Sequence, residues 1–153
     1  MTNKLSTITT MAVLLMMAGS FTSCDKKENE AREIPFTEVT LFETCWWIDT
    51  ASEKVIIINC QEELKKHIEC DENMSFPFID FSKHTLLLIS GMTPNQIIGT
   101  PNVQLMQYSQ NNYELHVTIP LGIATIMEFW TLSILVEKID ARSNINVNVK
   151  HIW

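Results

Sequence analysis

The stretch VQLMQYSQNNYELHVTI, residues 103–119, decides the fold class. Leu115, Val117 and Ile119 alternate with Glu114, His116 and Thr118. That period of two describes a strand with one dry face and one wet face, the pattern of an antiparallel sheet covered on one side only. Residues 103–108 form a second run, and Ser109, Gln110, Asn111 and Asn112 stand between the two. Asparagine tolerates left-handed turn conformations, so the spacing predicts a hairpin.

Working outward, the C-terminal side adds two strands. Residues 129–138 read as one. In the last, Ile145, Val147 and Val149 alternate with Asn146, Asn148 and Lys150. On the N-terminal side, TLLLIS at residues 85–90 and VIII at residues 55–58 are continuous apolar runs and read as buried strands. Between those two, Asn59 with Glu62 three residues later has the form of a capping box. Leu64 and Ile68 lie four apart among charged residues, so a short helix is expected over about residues 60–70. Gly91, Pro94, Gly99 and Pro101 punctuate residues 91–101 as loop. The expected architecture is α+β: a mostly antiparallel curled sheet or half-barrel of six or seven strands with one short helix.

The N-terminus reads as an address. Lys4 is the only charge before Asp25, residues 8–18 (ITTMAVLLMMA) are mostly apolar, and small or polar residues lead to Cys24. Residues 1–23 therefore read as a signal peptide. Their apolar run is shorter than the ~20 residues a spanning helix needs. FTSC, residues 21–24, resembles the lipobox of bacterial lipoproteins, with Phe21 in place of the usual Leu. That resemblance implies acylation of Cys24 and a membrane anchor, in an outer-membrane lipoprotein facing the periplasm or the cell surface. Several acyl chains hold such an anchor stably. Seven of the nine residues 25–33 are charged. Such a segment cannot bury enough apolar surface to order itself, so residues 24–33 read as lipidated cysteine plus flexible tether. Residues 34–153 are then a single globular domain.

The 153 residues carry a formal charge of −7. That balance argues against a nucleic-acid partner, which needs a basic surface. The deficit is local: residues 34–80 hold ten acids against Lys54, Lys65 and Lys66, whereas residues 81–153 balance four with four. Cys45, Cys60 and Cys70 remain besides Cys24. Export to an oxidising compartment allows a disulfide. Cys60 with Cys70 would close a short loop around the expected helix, and inert buried thiols are the alternative.

Chemistry-bearing motifs are scarce. GxSxG, HExxH, CxxC and phosphate-loop patterns are absent from the sequence. No catalytic residue, cofactor or metal is expected. His67, Cys60 and Cys70 are the nearest to a metal-ligand set, but three loosely spaced groups read better as a helix end. His116 and His151 read as exposed strand side chains. Asp80, in IDF before a strand, is either a desolvated acid or a turn cap. Glu128 stands beside Phe129 and Trp130, where apolar neighbours could raise its pKa. Of the aromatic residues, Trp46, Trp47 and Trp130 are candidate binding residues. On a strand, one ring of the Trp46–Trp47 pair faces the core and the other faces solvent.

The order of features over residues 55–150 is similar to the C-terminal domain of the PrcB family, exported proteins that stabilise a surface protease complex. The carriers are VIIIN, CQEELKKHI, IDFSKHTLLLISG, the long hairpin, and the closing WTLSILVEKI and INVNVKHI. IDFSKHTLLLISG is the best-matching block, and MTPNQIIG replaces the family's Gly-rich stretch after it. The resemblance implies a non-catalytic accessory protein of the envelope that binds another envelope or extracellular protein. Loops 91–101 and 127–130 are the expected contact surface, because Pro/Gly-rich loops on a sheet scaffold often carry binding. Glycan binding through exposed Trp, and a small hydrolase using Asp80 or Glu128, are the alternatives.

Overall fold

The structure, a computed structural model, describes residues 31–40, 45–48, 54–71 and 78–153. The segments expected to be signal peptide and tether, with Cys24, lie outside the described residues up to residue 30. Strands dominate: β1 (Arg32–Glu33), β2 (Thr37–Glu38), β3 (Cys45–Trp47), β4 (Ile56–Ile58), β5 (Ile68–Cys70), β6 (His84–Thr93), β7 (Asn102–Ser109), β8 (Asn112–Pro120), β9 (Glu128–Glu137) and β10 (Asn144–Ile152). One helix, α1, spans Gln61–Leu64. The protein is thus mostly β, with more strands than the six or seven expected. Its sheet is not one curled surface but three, in the orders β1-β7-β8-β10, β2-β9-β6-β4 and β3-β5.

β6 explains its own sequence. It is central in its sheet, paired with β9 along all ten residues and with β4 beside it. Leu87 and Ile89 point into a core shared with Leu105, Leu115, Val117 and Ile119 of the first sheet. Leu86 and Leu88 point the other way, against Ile58, Leu64, Ile68 and Cys45. A strand with layers on both faces has no wet face, which is why LLLI at residues 86–89 does not alternate, and the buried Thr85 at its start is accepted because its hydroxyl bonds Asn59. Each fully buried Leu or Ile of this kind contributes roughly 1.5–3 kcal/mol.

The expected helix is cut to one turn. Lys66 N–H and His67 N–H bond three residues back, to Glu63 O and Leu64 O, which tightens and ends it. Residues 68–70 are strand β5. Leu64 and Ile68 are both buried, but across a turn rather than along a helix face. The capping pattern is also rearranged. The N-cap position is Cys60, without a side-chain cap. Asn59 N–H donates to Glu63 Oε2 at 2.9 Å. Its side-chain oxygen accepts from buried Thr85 Oγ1 at 2.6 Å, tying β4 to β6.

The cysteine pairing differs from the expected one. Cys45 and Cys70 are directly opposite on β3 and β5 and are joined by a disulfide, and Cys60 is free. The Cys60–Cys70 bond therefore does not form, because residues 68–70 turn back to pair with β3.

The hairpin forms as read, with β7 and β8 paired antiparallel. Its turn uses no left-handed residue, since every described non-glycine residue has negative φ. An irregularity between Gln107 and Ser109 supplies the extra length instead. β10 keeps its alternation, yet runs parallel to β8, in register from Asn144↔Asn112 to Ile152↔Pro120. The cause is topological: β9 carries the chain back in the other sheet, so β10 starts where β8 starts. The sheet also takes in Arg32 and Glu33, which composition assigned to the tether.

Candidate interaction surface

All the long strands run between two ends. At one end lie the hairpin turn, the turn before β6 and the connection from β9 to β10. Their acids are held locally. Asp80 accepts from Ser82 N–H at 3.1 Å and from Ser82 Oγ, and these bonds hold its carboxyl below the usual range. Lys83 adds an ion pair at 3.4 Å. Asp80 is therefore a turn cap, not a desolvated acid. Asp140 accepts from Arg142 N–H at 2.8 Å and pairs with its guanidinium at 3.1 Å, which lowers its pKa likewise. A cleft of about 370 Å³ opens between the sheets here, lined by Arg32, Glu33, Tyr113, Glu137 and Lys138 among others. Lys138 Nζ donates to Asn59 O and Phe81 O. Tyr113 donates to Gln110 O and accepts from Gln107, and burial raises its pKa.

The other end is built from residues 94–101, residues 121–127 and the close of β10. Its backbone is tied from beneath. Thr93 Oγ1 donates to Asn95 O at 2.8 Å, and Asn95 Nδ2 to Ala124 O at 3.3 Å. Gln96 N–H donates to Ala124 O, Gly122 N–H to Gln96 O, Ile98 N–H to Pro120 O and Leu121 N–H to Ile152 O. Glu128 Oε2 accepts from Ile97 N–H at 2.9 Å. The carboxylate of Glu128 is thus a strap for the 94–98 segment.

With the loop backbone tied inward, apolar side chains are left outward. Ile123 is 97% exposed, Met127 67%, and Ile98 and Phe129 63% each. Met92, Ile126, Ile152 and Trp153 are exposed with them. Single exposed apolar residues are ordinary, but a cluster on one end is a candidate interaction surface. Gly122 makes room for it, since a Cβ there would come within 2.6 Å of Ile98 Cγ2.

The sequence-predicted tryptophans separate. Trp46 is exposed and Trp47 packs against the smaller core, as alternation on a strand requires. Trp130 is buried in the larger core. Its ring lies over Gly91 on the neighbouring strand, where a Cβ would meet Cζ2 at 2.6 Å. Trp46 and Trp47 belong to the β3–β5 layer, so the three do not form one site. Residues 91–93, expected in the contact loop, belong to β6. The 121–126 segment was missed by sequence reasoning, although LGIATI is an apolar run with no period that a strand or helix could bury.

His67, Cys60 and Cys70 cannot act as a metal set, because Cys70 is bonded to Cys45. His116 is half-buried, 3.8 Å from Glu114. His151 is not an exposed strand residue. It shares the inward face of β10 with Ile145, Val147 and Val149, and its Nε2 is buried without a partner.

No protein-family model, curated protein or solved structure matches this chain.

Proposed function

We propose that the chain is a lipid-anchored accessory protein of the bacterial cell envelope, acylated at Cys24, that binds another envelope or extracellular protein through its apolar end. The observation that carries this reading is the segregation of the two ends. The segment leading from Cys24 joins the first sheet at Arg32–Glu33, opposite Gln107 and Met106 and beside the hairpin turn. Ile98, Ile123, Ile126, Met127, Phe129 and Trp153 are exposed at the far end of the same strands, whereas Phe78, before the turn into β6, is the one comparably exposed apolar side chain near the polar end among the described residues. A chain tethered at one end presents the other away from its anchor. Loops held rigid by their own hydrogen bonds lose little freedom on binding, which favours a specific protein partner. The order of elements similar to the PrcB domain supports the same class of role.

The other readings have less support. Glycan stacking would fall to Trp46 and Trp153, since Trp47 and Trp130 are packed. A hydrolase would need Asp80 or Glu128, and each spends its carboxylate on a neighbouring N–H.

The test is photo-crosslinking in cells. A crosslinker placed at Ile123 or Met127 is expected to trap a discrete protein, and one at Arg142 to trap none. Trapping of lipid alone from the apolar end, or of the same proteins from both ends, would sink the reading.

A further inference from the structure

We propose that two copies of this chain join edge to edge through β10, antiparallel about a two-fold axis at Asn148, so that two four-stranded sheets become one of eight. β10 is the terminal strand of its sheet, and among the described residues no strand pairs with its outer edge. The edge is long: β10 has nine residues, whereas the other terminal strands of the two larger sheets, β1, β2 and β4, have two, two and three. A long edge leaves a row of unpaired N–H and C=O groups that templates another strand. Solitary edges are usually blunted by charges, proline or a bulge. β10 has one charged side chain, Lys150, no proline, and unbroken register with β8.

The core also runs out at this edge. Ile145, Val147 and Val149 are only partly buried, while their partners Tyr113, Leu115 and Val117 on β8 are buried. A continuing strand on that side would cover them.

The charge pattern selects a second copy as occupant. Pairing nine residues about the midpoint sets Asn148 against Asn148, Lys150 against Asn146 and Val149 against Val147. No like charges meet, and at the axis the amide of Asn148 faces its own copy on the wet side. The acids concentrate in residues 34–80, and residues 81–153 are balanced, so two copies approach here through their neutral parts. An antiparallel pairing of one strand with itself is isologous and closes as a dimer.

Asn146 is exposed and its partner on β8 is Glu114, so lysine there gains and glutamate loses within the monomer, and urea denaturation of each variant separates that effect from the register test. Asn146→Lys sets lysine against Lys150 twice per dimer, and Asn146→Glu sets glutamate there. Sedimentation of the full chain in detergent is expected to show a reversible dimer. The lysine variant should weaken it roughly tenfold and the glutamate variant should tighten it. Asn148→Cys in a Cys60→Ala background should oxidise to a covalent dimer, and Gln104→Cys on interior strand β7 should not. A monomer at every concentration overturns the proposal. So does a dimer equally indifferent to both Asn146 variants, the behaviour of two anchors sharing one micelle.

Discussion

The two ends of the strands are made by opposite chemistry. At the polar end, Asp80 and Asp140 each bind an N–H two residues on, and Asn112 Nδ2 bonds Ser109 Oγ at 2.7 Å. Those turns hold themselves with their own side chains. At the apolar end the straps run between loops, from Glu128 to Ile97 and from Asn95 to Ala124. The side chains left over there are Ile98, Ile123, Ile126 and Met127. A loop that needs only to reverse the chain is made from Asp, Ser and Asn. Large apolar groups held outward by buried straps cost solubility, and binding offsets that cost.

The comparison can be broken most strongly from inside. Trp130→Ala removes the indole that fills the space over Gly91, and about 3–5 kcal/mol of stability should go with it. Urea denaturation measures this. Loosening confined to the apolar end in hydrogen exchange would show that the indole supports that end alone. The Cys45–Cys70 bridge lies in the β3–β5 layer that covers β6. It closes a separation of 25 residues. Cys45→Ala with Cys70→Ala should cost about 3 kcal/mol. Crosslinking from Ile123 should persist below the new midpoint if the apolar end is independent of that layer.

Glu128→Ala cuts one strap and should cost about 1–2 kcal/mol, since the acceptor is charged. Amide exchange at Ile97 should accelerate while that at Arg142 does not change. Ile123→Ser and Met127→Ser should leave stability within ~0.5 kcal/mol and abolish the crosslinked partner. A large stability loss would mean that these side chains pack rather than dock. The smallest effect is expected at the polar end, under acid. Asp140 has its pKa lowered from 3.8 by Arg142. Its contribution is therefore present above pH 3.8 and is lost as pH falls through the lower folded value. Asp140→Asn should flatten that part of the stability-versus-pH curve and leave the neutral-pH behaviour of the apolar end unchanged.

Much of the sheet was legible in the sequence because strand periodicity is local. The alternation in residues 113–119 and 144–152 names the wet and dry side chains without reference to any neighbour. His151 is the instructive failure. It continues the inward series 145, 147, 149, but its polarity suggested the outer face. The helix failed for a related reason: Leu64 and Ile68 four apart fit one helix face, and fit equally a turn followed by a strand. Of the candidate interaction surface, the 94–101 loop and residues 127 and 129 could be picked from turn composition and aromatic content. Residues 121–126 could not, because an aperiodic apolar run does not say whether it is covered.

Local pattern alone showed that β4 and β6 to β10 extend, which face of β8 is dry, and that β6 is a buried strand. FTSC at residues 21–24 resembles a lipobox, and that expectation too is local. Tertiary structure decided that Cys45 is the partner of Cys70, that β10 runs parallel to β8, and that the strands divide among three sheets. It also decided that exposed apolar side chains far apart in the chain meet at one end. Those outcomes depend on which distant segments lie side by side, and nearest-neighbour patterns do not contain that information.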